Sequence, residues 1–204
     1  MDLFKPDQSH EFSYTVKKSR FISYFSPLDN ITEINEIINN RKKLHHKARH
    51  HPYAAVIGNY QKYSDDGEPA GTAGQPILVS LQSRKLTNCI IIISRYFGGI
   101  KLGKGGLARA FAFSADQVIS QAKLLKAYNA IFITITADYP VFNELKKILE
   151  NFHLLNYQEN FLNKVIVELA IPAEEKLNFT NQISSIQKYI NFSTVGEKLI
   201  FSDR

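Results

Sequence analysis

Two short runs hold most of the residues that could do chemistry in this sequence. Ser64-Asp65-Asp66-Gly67-Glu68-Pro69-Ala70-Gly71-Thr72-Ala73-Gly74-Gln75-Pro76 sets three carboxylates among turn formers. Arg95-Tyr96-Phe97-Gly98-Gly99-Ile100-Lys101-Leu102-Gly103-Lys104-Gly105-Gly106 sets three cations among glycines. Eight of the ten glycines lie between Gly67 and Gly106, more than turns alone ask for. Glycine in loops serves positive φ or close backbone approach, so the two runs are expected to form one backbone-lined cleft. Its acids, Asp65, Asp66 and Glu68, would position the cleft, with Ser64, Gly67, Gly71, Thr72, Gly74 and Tyr96 completing its signature. Two plain turns with solvated charges are the alternative. Arg95 is also placed to neutralise the acids as a structural ion pair.

Several specific chemistries can be tested on these residues. Gly98 to Lys104 fits G-x-x-x-x-G-K between an apolar run and a helical one. Gly105 follows, however, where a hydroxyl should hold magnesium, so a P-loop NTPase is disfavoured. Gly103-x-Gly105-x-x-Ala108 mimics a dinucleotide fingerprint, but no acid occurs between Lys123 and Ala137. What survives is general: consecutive N–H groups at a helix start can hold phosphate, helped by Lys101 and Lys104. His46 and His50 stand four apart like helical zinc ligands, yet Pro52 interrupts and Lys47 and Arg49 repel a cation. Neither a metal nor a cofactor is called for. No G-x-S-x-G turn occurs, and Cys89 sits inside an apolar run, so no nucleophile is assigned and catalytic residues stay unknown.

The elements that must carry these runs follow from periodicity. Phe12–Val16 and Ser19–Phe25 read as strands ended by Pro27 and Asp29. A helix begins at an Asn30/Glu33 capping box, turns Ile31, Ile34, Ile37, Ile38 and Leu44 inward, and ends near 41–43. Tyr53–Ile57 is a strand closed by Gly58, and the acidic run follows as a loop. Pro76 opens a helix. Asn88–Ser94, wholly apolar and β-branched, is a strand covered on both faces. A long helix runs from the second glycine run to about Gln121. Beyond it come a strand from Ala130, a helix from Pro140, strands Leu155–Asn160 and Val165–Ile171, a helix Ala173–Tyr189 anchored by Leu177, Ile183 and Ile186, and a strand Phe192–Phe201. That β-α-β-β-α-β order is the ferredoxin-like pattern. The class is α+β, with a boundary near 124–130: residues 1–126 in one domain and 130–204 in the other.

Charge changes sign at the same place. Residues 1–130 carry 18 Lys+Arg against 10 Asp+Glu, and residues 131–204 carry 7 against 9. A basic first half favours a polyanion partner. The opening Met1-Asp2-Leu3-Phe4-Lys5 is too polar for a signal peptide and no run approaches a membrane span, so a soluble, cytoplasmic protein without membrane association is expected. One cysteine excludes an internal disulfide.

Lys18-Ser19-Arg20-Phe21-Ile22, Ala48-Arg49-His50-His51, Ser64 to Gly74, and Arg95-Tyr96-Phe97-Gly98-Gly99 with Leu102-Gly103 resemble the YigZ/IMPACT family, in the order and spacing of its bacterial YigZ branch. The resemblance implies an N-terminal domain like the second domain of a small-subunit ribosomal protein, and a ferredoxin-like C-terminal domain. It implies a translation-linked role as well. Eukaryotic IMPACT proteins regulate translation by binding a partner of a stress-responsive kinase, and bacterial members are suggested to bind nucleic acid or the ribosome. One departure is Pro52-Tyr53 after His50-His51, where bacterial relatives often carry Cys, so a Cys–His site is not implied here. The leading expectation is a non-enzymatic binder contacting RNA or the ribosome through Arg20, Arg49, His50, Arg95, Gly98, Gly99, Lys101, Gly103 and Lys104. A small-molecule enzyme or phosphate-ligand binder using Asp65, Asp66 and Glu68 is the alternative, and a protein-partner adaptor a third. Oligomeric state is left open.

Overall fold

Strand β6 (Cys89–Tyr96) is the axis of the first unit. Seven of its eight residues are buried. Ile91 and Ile93 face one hydrophobic layer, and Ile90 and Ile92 face another. Each of these four side chains is fully buried and contributes roughly 1.5–3 kcal/mol. The double burial expected of this run is what forms. Around β6 lie β3 (Ser19–Pro27), β2 (His10–Val16), β4 (Tyr53–Ile57) and β5 (Tyr60–Ser64), in the order β2-β3-β6-β4-β5 with every pair antiparallel. A short strand, β1 (Phe4–Pro6), precedes them.

Helix α1 (Glu33–Leu44) covers one face of that sheet through Ile34 and Ile38. Helices α2 (Gly74–Ser83) and α3 (Lys104–Ser120) cover the other through Ile77, Leu81, Leu107, Phe111 and Val118. Two expected inward residues of α1 are exposed: Ile31 and Leu44. Asn30 accepts the Thr32 N–H through its side chain and the Glu33 N–H through its carbonyl, so Ile31 sits in a turn before the helix. The buried stripe then runs Ile34, Ile38, Arg41 toward the half-buried His45, and Leu44 lies off it. β5 falls almost wholly in a segment to which the sequence assigns no element; four of its five residues are exposed, so it carries no apolar alternation to announce it. α2 begins at Gly74, ahead of Pro76.

The computed structural model describes residues 2–203 and divides into two units, Met1–Leu125 and Lys126–Arg204. The second holds most of β7 (Leu124–Ala137), followed by α4 (Tyr139–Leu149), β8 (Asn156–Phe161), β9 (Val165–Pro172), α5 (Lys176–Ile183, flanked by short 3-10 turns) and β10 (Ile190–Ser202). The strands pair antiparallel in the order β8-β9-β7-β10. This is the expected βαββαβ order, and both units are α+β. Ile133, Ile135, Val167 and Leu169 pack against Phe142, Leu145, Phe179 and Ile183 of the helices. β7 begins at Leu124 and not at Ala130, because the end of β10 supplies partners as far back as Lys126. Leu177 is exposed, contrary to expectation. Phe179, Ile183 and Ile186 form the inward stripe, and Leu177 lies about 200° from Phe179 around the helix. Among the described residues no helix is long and apolar enough to cross a membrane.

Candidate functional site

The loop 64–74 is built by its first aspartate. Asp65 Oδ1 accepts the N–H groups of Ala73 and Gly74, each at 2.9 Å, and Oδ2 accepts that of Gly71 at 2.8 Å. Donors at the start of α2 that the helix cannot satisfy are thereby met. Burial alone would raise the Asp65 carboxyl, and the three backbone donors outweigh it, holding its pKa below the ordinary value. Ser64 Oγ accepts the Asp66 N–H at 3.1 Å, and Thr72 Oγ1 donates to the Pro69 carbonyl at 2.6 Å.

Asp66 works in the other direction. Its Oδ2 accepts the His51 N–H at 2.7 Å, its Oδ1 meets Lys42 Nζ at 3.0 Å, and its carbonyl lies 2.7 Å from His50 Nδ1. A carbonyl only accepts, so Nδ1 of His50 carries a hydrogen and donates it. Gly67 follows at φ +88°, where a Cβ would lie 2.8 Å from His50 Nδ1; only glycine lets this ring close on the loop. Behind it His51 is buried, its Nδ1 2.9 Å from Ser94 Oγ. Burial pushes the His51 pKa down, with Asp66 opposing in part.

The third acid meets the second run. Arg95 Nη1 donates to both oxygens of Glu68, at 2.7 and 2.6 Å, with the side chains 9% and 2% exposed. The Arg95 guanidinium lies 5.7 Å from the Phe21 ring centroid and 5.6 Å from that of Phe97. Its Nε is buried without a hydrogen-bond partner among the described residues. The following loop is pressed against the β2–β3 turn: a Cβ on Gly98 would fall within the Lys18 backbone, and Ser19 Oγ accepts the Gly98 N–H at 3.3 Å. The loop leads through Gly103, at φ +72°, into α3, whose first turn has neither a side-chain cap nor an acid. The positive end of the α3 dipole is therefore unopposed there.

These pieces enclose one cavity of about 440 Å³. Arg49, His50, Arg95, Lys101, Gly103 and Lys104 line it, so the structure brings together most of the expected contact residues. Glu68 is the one lining carboxylate, set against four cationic side chains. Arg49, Lys101 and Lys104 engage no carboxylate among the described residues. Gly98 and Gly99 shape the loop without lining the cavity. Arg20 is separated from the group. Phe21 is buried against α3, so alternation turns Arg20 to the other side of the sheet, where its guanidinium lies 5.1 Å over the Tyr96 ring. Tyr96 Oη meets His45 Nδ1 at 3.1 Å on that side. Asp65 and Asp66 brace the wall and do not line the cavity. No cluster of three or more His, Cys, Asp or Glu suited to a metal occurs among the described residues.

Sequence reasoning missed the apolar lining: Pro69, Phe97, Leu102 and Leu107. Phe97 had a signal, since period-2 alternation from Arg95 sets both on one side.

Fold and cavity define a class: a two-unit α+β protein whose basic first unit opens a cationic, glycine-looped cavity at the start of a helix. Comparison with known proteins gives the family. Residues 17–119 match the Impact N-terminal domain. The IMPACT family member YvyE of Bacillus subtilis is 36% identical over 180 residues, covering 85% of this chain and 80% of YvyE. YigZ of Escherichia coli is 28% identical, covering 85% and 87%. A crystal structure titled as that of a hypothetical protein superposes with a TM-score of 0.62 at 26% identity, over 97% of this chain and 98% of the other. The chain belongs to the IMPACT family.

Proposed function

We propose that this protein is a translation-linked regulatory binder that contacts RNA, on or off the ribosome, by seating backbone phosphate in the cavity of its first unit. A cytoplasmic location goes with this reading. The observation that carries it is the convergence of Arg49, Arg95, Lys101 and Lys104 on the uncapped start of α3. Backbone N–H groups and the helix dipole favour an anion there, and lysines supply point charges around it. Membership of the IMPACT family supports the regulatory role. The carboxylates support no catalytic role: Asp65 and Asp66 are occupied by backbone N–H groups and Lys42, and Glu68 by Arg95. Fluorescence anisotropy with a structured RNA at low salt tests the reading. Wild type is expected to bind, and Lys101→Ala with Lys104→Ala to weaken binding strongly; unchanged binding in the double variant would rule the cavity out.

The cavity volume also falls within the range of small-ligand pockets, which favours a phosphorylated metabolite as a second reading. A thermal-shift panel of nucleotides and sugar phosphates separates the two. A single ligand that stabilises the first unit, with no RNA binding, would select the metabolite.

A further inference from the structure

One lining residue fits neither a bare phosphate site nor a packing role. Phe97 is 52% exposed and is the one aromatic carbocycle in a lining otherwise made of cations, His50, Glu68, a glycine and aliphatic groups. Its ring lies 5.6 Å from the Arg95 guanidinium, which is itself held by Glu68. The same cavity presents Pro69, Leu102 and Leu107 as apolar wall, with Lys101 and Lys104 close by in the lining. A phosphate alone has no use for an exposed ring and an aliphatic wall. A nucleotide has a use for all of them, because a base offers a flat apolar face at a short covalent distance from its phosphate.

We propose that the cavity takes one unpaired nucleotide of single-stranded RNA, its base stacked on Phe97 and its phosphate held by Lys101 and Lys104 at the start of α3. This rests on the phosphate reading above and adds the class of RNA. A volume of about 440 Å³ admits a single nucleotide and is far too small for a duplex. A double helix keeps its bases stacked on each other and would offer the site backbone alone. Arg95 strengthens the platform: its guanidinium, 5.6 Å from the ring centroid, adds cation–π attraction. Selectivity for one base is not expected, since every base has a π-face.

Anisotropy of the full chain at low salt, with three labelled probes of equal length, tests the assignment. The probes are an oligouridylate, an abasic oligomer with the same phosphates, and an RNA duplex. Wild type is expected to favour the oligouridylate over both others by about tenfold. Phe97→Ala should erase that margin and leave weak, base-independent binding. Phe97→Leu, which keeps apolar bulk but lacks a flat ring, should do the same, and Phe97→Tyr should retain the margin. Thermal melting establishes that each variant is folded. Equal affinity for all three probes in wild type, or a margin that survives Phe97→Leu, overturns the stacking assignment and leaves the phosphate reading standing. Lys101→Ala with Lys104→Ala should weaken all three probes together. If it weakens none, the phosphate reading goes, and this inference with it.

Discussion

Glu68→Gln is predicted to make the protein less stable and better at binding RNA. Glu68 is buried and accepts two hydrogen bonds from one nitrogen of Arg95, itself buried. Losing one charge of such a pair leaves the other uncompensated, at a cost of about 3 kcal/mol when the shape is kept. For a unit of this size that lowers the melting temperature by roughly 10 °C. The same carboxylate is the one negative lining charge of the cavity. A volume of about 440 Å³ implies a width of about 8 Å, so at an effective dielectric of about 40 its repulsion of a seated phosphate is about 1 kcal/mol. Removing it should tighten RNA about fivefold at low salt. Calorimetry reads the first effect and anisotropy the second. A variant that loses stability and affinity together would make the pair purely structural, and one that loses neither would mean the pair is not formed.

Two further predictions concern pH. The Asp65 carboxyl lies below its ordinary value, so its stabilisation is complete above about pH 4 and is lost as pH falls through the lower folded value. Asp65→Asn should cost about 1–2 kcal/mol at neutral pH and flatten the acid limb of a urea-unfolding series; an unchanged limb would count against the cap. His51 and His45 are both shifted down, chiefly by burial, so the unfolded chain takes up protons first. Stability of the first unit should be full above about pH 6.5 and decline below it, less steeply in His51→Asn, and a flat profile from pH 7 to 5 in wild type would contradict this.

Much of the scaffold was legible because burial writes itself into pattern. The run Ile90–Ile93 announces a strand covered on two faces, and β9 and β7 announce the second sheet in the same way. β5 was not legible, since an edge strand with four exposed residues has no apolar period. Leu44 and Leu177 misled for a related reason: an apolar residue adds to a helical pattern wherever it falls, but only the stripe that meets the sheet is buried. At the site, Glu68 and Arg95 join the two glycine-rich runs, and six of the expected residues line one cavity. Its acids were harder to read. Asp, Asp and Glu look alike as candidate acids, and only the fold decides that one caps a helix, one ties His51 and Lys42, and one faces Arg95. Arg20 stands apart from the cavity, because alternation in β3 turns it to the other side of the sheet.

The central claim is that Lys101 and Lys104 hold RNA phosphate at the start of α3. The salt dependence of binding measures this most directly, because each phosphate contact on a single strand contributes about 0.7 to the slope of log affinity against log salt. Anisotropy across a salt series is expected to give a slope shallower by about 1.4 in the Lys101→Ala, Lys104→Ala variant than in wild type. An identical slope in the two proteins would contradict the account.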